Sequence, residues 1–426
     1  MRTPRLNVLL PVAVLLLLPG LVWAEPTQQQ AAALEYLNRL RHEAGLNPFA
    51  WDSALAEAAA GHAAYLAGNL ELGHEQAAGK PGFTGASPGE RALRAGFGSN
   101  QVTENIHASL GAETGPREWV DNLFTGIYHR LRFLDFHVDR IGLARAQQDF
   151  TTVVFVMANG AQADLCSDPS SPSRTGSYYY GVCRDSERKI PAADWERAKK
   201  GVQQANPGLV VWPPDGADGV LPVFAEETPD PLPEFEVSGN PLSIHFNPAR
   251  FEAVELERFQ LFRGADDASF APVRVMAAES DPHGLLGPLD FVLFPLQRLD
   301  WNTPYRVEVD YRAGEKRGRV VWHFRTRDPG APVLTLKANG ETLNPPPGSR
   351  RFAVQVPADS GIAIIRNIQY RSSPGLGIRA RIYDVNTLMF ELTGPRSQGL
   401  VEVRLSAGFG FRLQLESAAA AHTPRP

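Results

Sequence analysis

Val120-Asp121-Asn122-Leu123-Phe124-Thr125-Gly126-Ile127-Tyr128-His129-Arg130 is the stretch on which the reading of this chain turns. Val120, Leu123, Phe124 and Ile127 recur at helical spacing and give one apolar stripe that must pack inward. Gly126 stands near the end of the pattern, where helices tend to stop. An aromatic, a histidine and an arginine follow at once. A histidine fixed by packing at the exit of a buried helix suits a ligand or an acid–base group. A half-buried core histidine with satisfied hydrogen bonds is the plainer alternative.

The 426 residues around this stretch are enough for two or three domains. Residues 1–24 read as a signal peptide outside the fold. Arg2 and Arg5 form its basic region, Val8 to Leu18 its apolar core, and Val22-Trp23-Ala24 its small-residue cleavage site. The apolar run is too short for a transmembrane anchor and Pro11 interrupts it. No cysteine follows Ala24, so no lipid anchor is expected. The mature protein then starts near Glu25 and is exported, to the periplasm or beyond the cell. Cleavage removes two of 42 basic residues against 47 acidic ones, which makes the chain more acidic than its net −5. A nucleic-acid partner would need a basic face and is not expected. Cys166 and Cys183 are the two cysteines. In an oxidising compartment they can pair, and closing a loop of about 18 residues is worth roughly 3 kcal/mol in the loop-entropy account. Two free thiols are the alternative, and the spacing excludes a CxxC motif.

Residues 27–160 read as an α+β layered domain. Ala33, Leu37, Leu40 and Ala44 mark an amphipathic helix ended by Gly45. Asp52 can cap a second helix running through Ala67, with Leu55, Ala59, His62 and Leu66 on one face. Ser87-Pro88-Gly89-Glu90 is a helix start with a capping box. Thr103 to Ile106 opens a short strand. Arg140–Arg145 and Phe150–Met157 give two more, the latter so apolar that it should be central in its sheet. His42, His107 and His137 read as surface residues.

The order of short motifs in this domain carries a resemblance. HAxYL from His62, GHE around His74, GFTG over Gly82 to Gly85 and SPxxR over Ser87 to Arg91 come first. ENI over Glu104 to Ile106, Trp119, YHR over Tyr128 to Arg130 and FVM over Phe155 to Met157 follow. Residues 31–158 resemble a bacterial CAP (SCP-like) domain. That superfamily includes the cysteine-rich secretory proteins, antigen 5 and the plant pathogenesis-related proteins. The resemblance implies an α-β-α sandwich with an open cleft, lined by two histidines and two acidic residues that can hold a divalent metal. By motif the histidines match His74 and His129, and the acid of the GEN motif matches Glu104, although Thr103 replaces the glycine. The second acid falls at Asn122, with Asp121 next door, so two His and one Glu remain. His62 and Arg130 are expected beside them. Such a set suits zinc and leaves a position open for water or substrate; it can also hold iron. A metal-free hydrogen-bond network ordering the cleft is the alternative.

Residues 161–235 read as a disulfide loop and Pro-rich linker. Ser167 to Ser177 is Ser/Pro/Gly-rich, and Tyr178-Tyr179-Tyr180 is a strand or else an aromatic binding platform. Pro191 to Ala205 gives a short helix, and Val210–Pro214 and Glu226–Pro233 give extended, proline-stiffened segments. Residues 236–328 alternate with period two, as at Leu242, Ile244 and Phe246, and read as an Ig-like β-sandwich. Asp328 to Pro332 is a second linker. Residues 332–416 read as a second, smaller β domain and residues 417–426 as a disordered tail. The function expected is an exported module whose cleft binds a small hydrophobic ligand, a cell-surface polymer or a protein, with a divalent metal as an optional part. The alternative is a metal-dependent hydrolase with Glu104 or a metal-bound water as base, although no G-x-S-x-G serine or cysteine accompanies the histidines. Adhesion through the β domains alone is a third reading. Whether the protein is an enzyme stays open, as does its oligomeric state.

Overall fold

Thr27 opens the first helix with a capping box: its hydroxyl accepts from the Gln30 N–H, and the Gln30 side chain accepts from the Thr27 N–H. The computed structural model describes residues 25–109, 115–168, 176–225, 227–264, 268–357, 364–395, 397–405 and 408–416. The expected signal peptide, most of the Ser/Pro-rich loop and the expected tail lie outside the described residues.

Helix α1 (Gln28–Glu43) buries Ala33, Leu37 and Leu40, the predicted stripe. Strand β1 (Ala50–Trp51) leads to α2 (Ser53–Asn69), whose first N–H groups donate to the Asp52 carboxylate as the sequence suggests. Helix α3 (Pro88–Ala95) is capped by the Ser87 hydroxyl; Glu90 reaches one residue further back than a capping box would, to the Ala86 N–H. Then come β2 (Val102–Ser109), α4 (Pro116–Thr125), α5 (Ile127–Phe133), β3 (Arg140–Gln147) and β4 (Thr151–Ala158). The sheet runs β1-β3-β4-β2, with β4 buried along its whole length and β2 at an edge. On one face Leu37, Trp119, Leu123 and Phe133 pack against Ile141, Leu143, Phe155 and Met157. On the other, Leu55, Ala59, Leu66 and Ala92 pack against Ala144, Val154 and Val156. The domain is therefore an α-β-α sandwich. Gly142 lets α2 lie directly on β3: a Cβ there would sit 2.0 Å from the Ala56 nitrogen.

The stripe at 120–127 does not form one helix. Gly126 is extended (φ −74°, ψ 134°), so α4 ends at Thr125 and α5 starts at Ile127. His129 thus lies near the start of a new helix and not at the exit of the first. The break also redirects the apolar residues. Val120, Leu123 and Phe124 join the core of the N-terminal domain, whereas Ile127 and Tyr128 pack against Leu232, Met276, Val292 and Phe294 from the following unit.

After α6 (Gly160–Ser167), Cys166 and Cys183 form a disulfide. Strands β5 (Tyr178–Tyr179) and β6 (Ile190–Pro191) precede α7 (Ala192–Gln204), close to the helix read from Pro191 to Ala205. The segment from 209 onward departs from the linker reading. Strand β7 (Leu209–Trp212) pairs antiparallel with β9 (Leu242–Phe246), and β8 (Ala217–Val220) pairs with β15 (Lys316–Thr326). Pro213 and Pro214 follow the strand, so they cost it no ladder bond. The first β unit therefore begins near 209 and not at 236. Its other strands are β10 (Glu255–Arg263), β11 (Ala268–Ser269), β12 (Val273–Met276), β13 (Asp290–Pro295) and β14 (Pro304–Ala313). Sheets β11-β10-β14-β15-β8 and β12-β13-β9-β7 enclose one core of Ile244, Phe246, Phe259, Val307, Trp322 and Phe324.

The second β unit has the same two-layer plan. Its strands are β16 (Val333–Thr335), β17 (Thr342–Leu343), β18 (Arg351–Gln355), β19 (Gln369–Ser372), β20 (Ile378–Asp384), β21 (Thr387–Leu392), β22 (Gly399–Arg404) and β23 (Gly410–Leu415). Sheets β16-β18-β21-β20 and β17-β23-β22-β19 close over Phe352, Val354, Phe390, Val403 and Leu413. Among the described residues no helix is long and apolar enough to cross a membrane.

Candidate functional site

Strand β2 organises the site because neighbouring residues of a strand point to opposite faces. Glu104 pairs across the sheet with Val156, in the core under α2 and α3. Asn105 pairs with Phe155, in the core under α1 and α4. Each side gathers one of the predicted histidines.

On the Glu104 side the carboxylate is buried, its side chain 1% exposed. Arg91 of α3 donates to both of its oxygens, at 3.2 and 2.9 Å, and to the His74 carbonyl at 2.9 Å. His74 Nδ1 lies 2.9 Å from Glu104 Oε1, and its side chain is 50% exposed. A carboxylate only accepts, so Nδ1 carries the proton, and Nε2 holds a lone pair whenever the ring is neutral. His62, fully buried on α2, donates from Nε2 to the Gly73 carbonyl at 3.0 Å and accepts from Gln76 at Nδ1. Its Nε2 is 3.6 Å from Glu104, so it stands beside the pair as expected. Burial pushes the His62 imidazole down to about 4, against the pull of Glu104. Leu70, left-handed at the end of α2, and Leu72 are exposed on the loop that leads to His74.

On the other side the Asn105 amide donates to the His129 carbonyl at 2.8 Å. His129 Nδ1 does not meet Glu104. It donates to Glu227 Oε1 at 2.6 Å, and the His129 backbone N–H donates to the same oxygen at 2.9 Å. The Glu227 side chain is 1% exposed, and its Oε2 is buried without a hydrogen-bond partner among the described residues. His107 is buried here, contrary to the surface reading, because it faces inward with Asn105 along β2; burial pushes it down to about 4. Arg130 is buried too, but it does not stand beside Glu104. It donates to the carbonyls of Phe124, Thr125 and Pro241 and to the Asn240 side chain, joining the N-terminal domain to the first β unit.

In the expected ligand set of His74, Glu104 and His129, each histidine meets a different carboxylate through Nδ1. Both Glu104 oxygens are engaged by Arg91 and His74, and His129 turns its Nδ1 to another carboxylate. Among the described residues no three His, Cys, Asp or Glu side chains converge as a metal-holding group. Asn122 is exposed, and the Asp121 carboxylate accepts from the Tyr36 hydroxyl, so neither supplies the missing acid.

Three groupings escaped the sequence reading, the first being Glu227 on His129. Arg91 was legible only as a motif position. Ser243, His245 and Asp290 form a hydrogen-bonded relay in which His245 reaches Ser243 at 2.8 Å and Asp290 at 2.9 Å. Ser243 is fully buried, so this relay offers no accessible nucleophile. A cavity of about 740 Å³ opens elsewhere, between α7 and the start of β3, lined by Asp139, Arg140, Asp194 and Arg197; no site histidine reaches it.

The model of the cysteine-rich secretory protein family, CAP, matches residues 34–159. No curated protein matches the chain. Among solved structures, an extracellular protein containing an SCP domain from Bacillus anthracis is 22% identical over 30% of this chain and 40% of its own, with a TM-score of 0.26. The chain thus spans less than half of that protein's length. An outer surface protein from Borrelia burgdorferi is 18% identical over 32% of this chain and 94% of its own, with a TM-score of 0.27. By the family match, the α-β-α domain at residues 34–159 is a CAP domain, a member of the cysteine-rich secretory protein family.

Proposed function

We propose that this protein is an exported ligand-binding module and that the rim formed by Leu70, Leu72 and His74 takes an apolar ligand bearing a hydroxyl head group. One observation carries the reading. His74 is half exposed with Nδ1 tied to buried Glu104, which leaves Nε2 of the neutral ring as a hydrogen-bond acceptor, while Leu70 and Leu72, close to it in sequence, are 61% and 70% exposed. Leucines this exposed and close in sequence to an oriented imidazole suit an amphipathic ligand, with the apolar body on the leucines and the hydroxyl on Nε2. Export is supported by the N-terminal sequence pattern and by a disulfide, a bond that persists in oxidising compartments.

The test is titration of a fluorescent sterol into wild type, His74→Ala and Leu70→Ser/Leu72→Ser. The expected result is saturable binding that weakens at least tenfold, about 1.4 kcal/mol, in both variants. Equal affinity in all three proteins, or no binding to any, would sink the reading. Zinc titrated into chelator-treated protein, with His74→Ala/His129→Ala alongside, decides the competing case. Stoichiometric uptake lost in the double variant would replace the apolar-ligand reading with a metal site.

A further inference from the structure

We propose that Glu227 is the positioning residue of His129, so that this histidine of the CAP domain is oriented by chain that lies outside it. The inference rests on the reading of His129 as a site residue. Glu227 falls beyond the segment matched by the family, 34–159. It nevertheless gives His129 the relation that Glu104, inside the domain, gives His74. In both pairs a carboxylate that is 1% exposed accepts from Nδ1, which leaves Nε2 with the free lone pair of the neutral ring.

Three features separate this arrangement from an incidental contact. Glu227 Oε1 accepts from two N–H groups of one residue, the His129 backbone and ring, which fixes both the place and the rotation of the imidazole. Gly126 makes the seat: a Cβ at this position would lie 2.6 Å from Glu227 Oε1 and 2.7 Å from its Cδ. The third feature is cost. Among the described residues Glu227 Oε2 is buried without a partner, and an under-satisfied buried carboxylate does not stabilise a fold. A group held against its desolvation cost is more economically explained by what it does to the histidine.

The delivery depends on docking. Glu227 lies between the CAP domain and the first β unit, where Ile127 and Tyr128 pack on Leu232, Met276 and Phe294. Arg130 fastens the same junction through the Pro241 carbonyl and the Asn240 side chain, and Asp281 accepts from the Tyr128 hydroxyl. The β unit is then more than a spacer: its seating decides which nitrogen of His129 carries the proton.

The experiment is ¹⁵N NMR of the imidazole rings in protein spanning residues 25–426, in mildly alkaline buffer and without ligand. Wild type should show His129 with its proton on Nδ1. In Glu227→Ala the Nδ1–H signature should be lost, with the proton moving to Nε2. Glu227→Gln should keep it, since the amide oxygen still accepts. The His74 ring, held by Glu104, serves as the folded-state control and should not change. If Glu227→Ala fails to fold, Gly126→Ala tests the same point by displacing the carboxylate while leaving residue 227 intact, and it should give the same loss. An unchanged His129 tautomer in the folded alanine variants would overturn the proposal. Because no ligand enters the measurement, failure of the sterol titration leaves this result standing, and the reverse also holds.

Discussion

Arg91 Nη2 lies 2.9 Å from Glu104 Oε2 and 3.2 Å from Oε1, with both side chains 1% exposed. The guanidinium also accounts for the position of His74, whose carbonyl it reaches. A buried pair of this kind adds little net stability, but removing one partner strands the other. Arg91→Met should therefore cost roughly 3–5 kcal/mol, while Arg91→Met with Glu104→Gln should cost less than the single change. Urea denaturation of the two singles and the double measures this coupling. Additive losses would show that the pair does not interact.

His62 and His107 are both buried, and both are held down to about 4 from 6.5, burial being the largest cause in each. The sign follows from proton counting. Between pH 6.5 and 4 the unfolded chain binds protons at these rings and the folded chain does not, so stability falls as pH falls through that window. The loss is on the order of 3 kcal/mol per ring by pH 4. Above pH 6.5 neither ring contributes any slope. Unfolding free energy measured across this range should slope downward toward acid, and His62→Gln with His107→Gln should flatten it. A slope equal in wild type and variant would assign the acid sensitivity to other groups.

Cys183 is buried with Val182, Ile190 and Trp195, against Leu165 and Cys166. The segment it anchors is also fastened to the CAP domain by the Asn100 N–H to the Val182 carbonyl and by Arg184 to the Leu93 carbonyl. Replacing both cysteines with serine should lower the stability of the CAP domain by about 3 kcal/mol in the loop-entropy account. Calorimetry should show the shift in that domain, with the second β unit unmoved. Identical melting of the domain with and without the disulfide contradicts the assignment.

How far the sequence discloses this molecule depends on whether a residue's role is local. Asp52, Ser87 and the stripe on α1 announce themselves because caps and periodicity act within a few residues. His74 and Glu104 are legible through motif order. Glu227 is not: it lies 98 positions from His129, in an acidic, proline-rich stretch that reads as linker. Strand β10 escapes notice because charged Glu257 and Arg258 interrupt its alternation, and only Phe259 and Leu261 are fully buried. Strand β21 is hidden for the opposite reason, since Thr387 to Phe390 is buried on both faces and shows no period of two. The break at Gly126 looks from sequence like the end of a helix. Its consequence, sending Ile127 and Tyr128 into another unit's core, is a tertiary fact.

Arg130 bears on how the units move together. Its guanidinium donates to four acceptors, two on the CAP side at Phe124 and Thr125 and two at Asn240 and Pro241. Arg130→Met keeps much of the apolar stem but leaves these buried acceptors unpaired, each at about 1–3 kcal/mol if water cannot reach it. The apolar contacts of Ile127 and Tyr128 with Met276 and Phe294 remain, so the domains should stay joined but melt less cooperatively. Scanning calorimetry of wild type should give one transition for the CAP domain and the first β unit, and the variant should split it in two with the CAP domain leaving first. A single, unshifted transition in Arg130→Met would mean that the apolar seam alone couples the units. Two transitions already present in wild type would mean that the junction is weaker than its contacts imply.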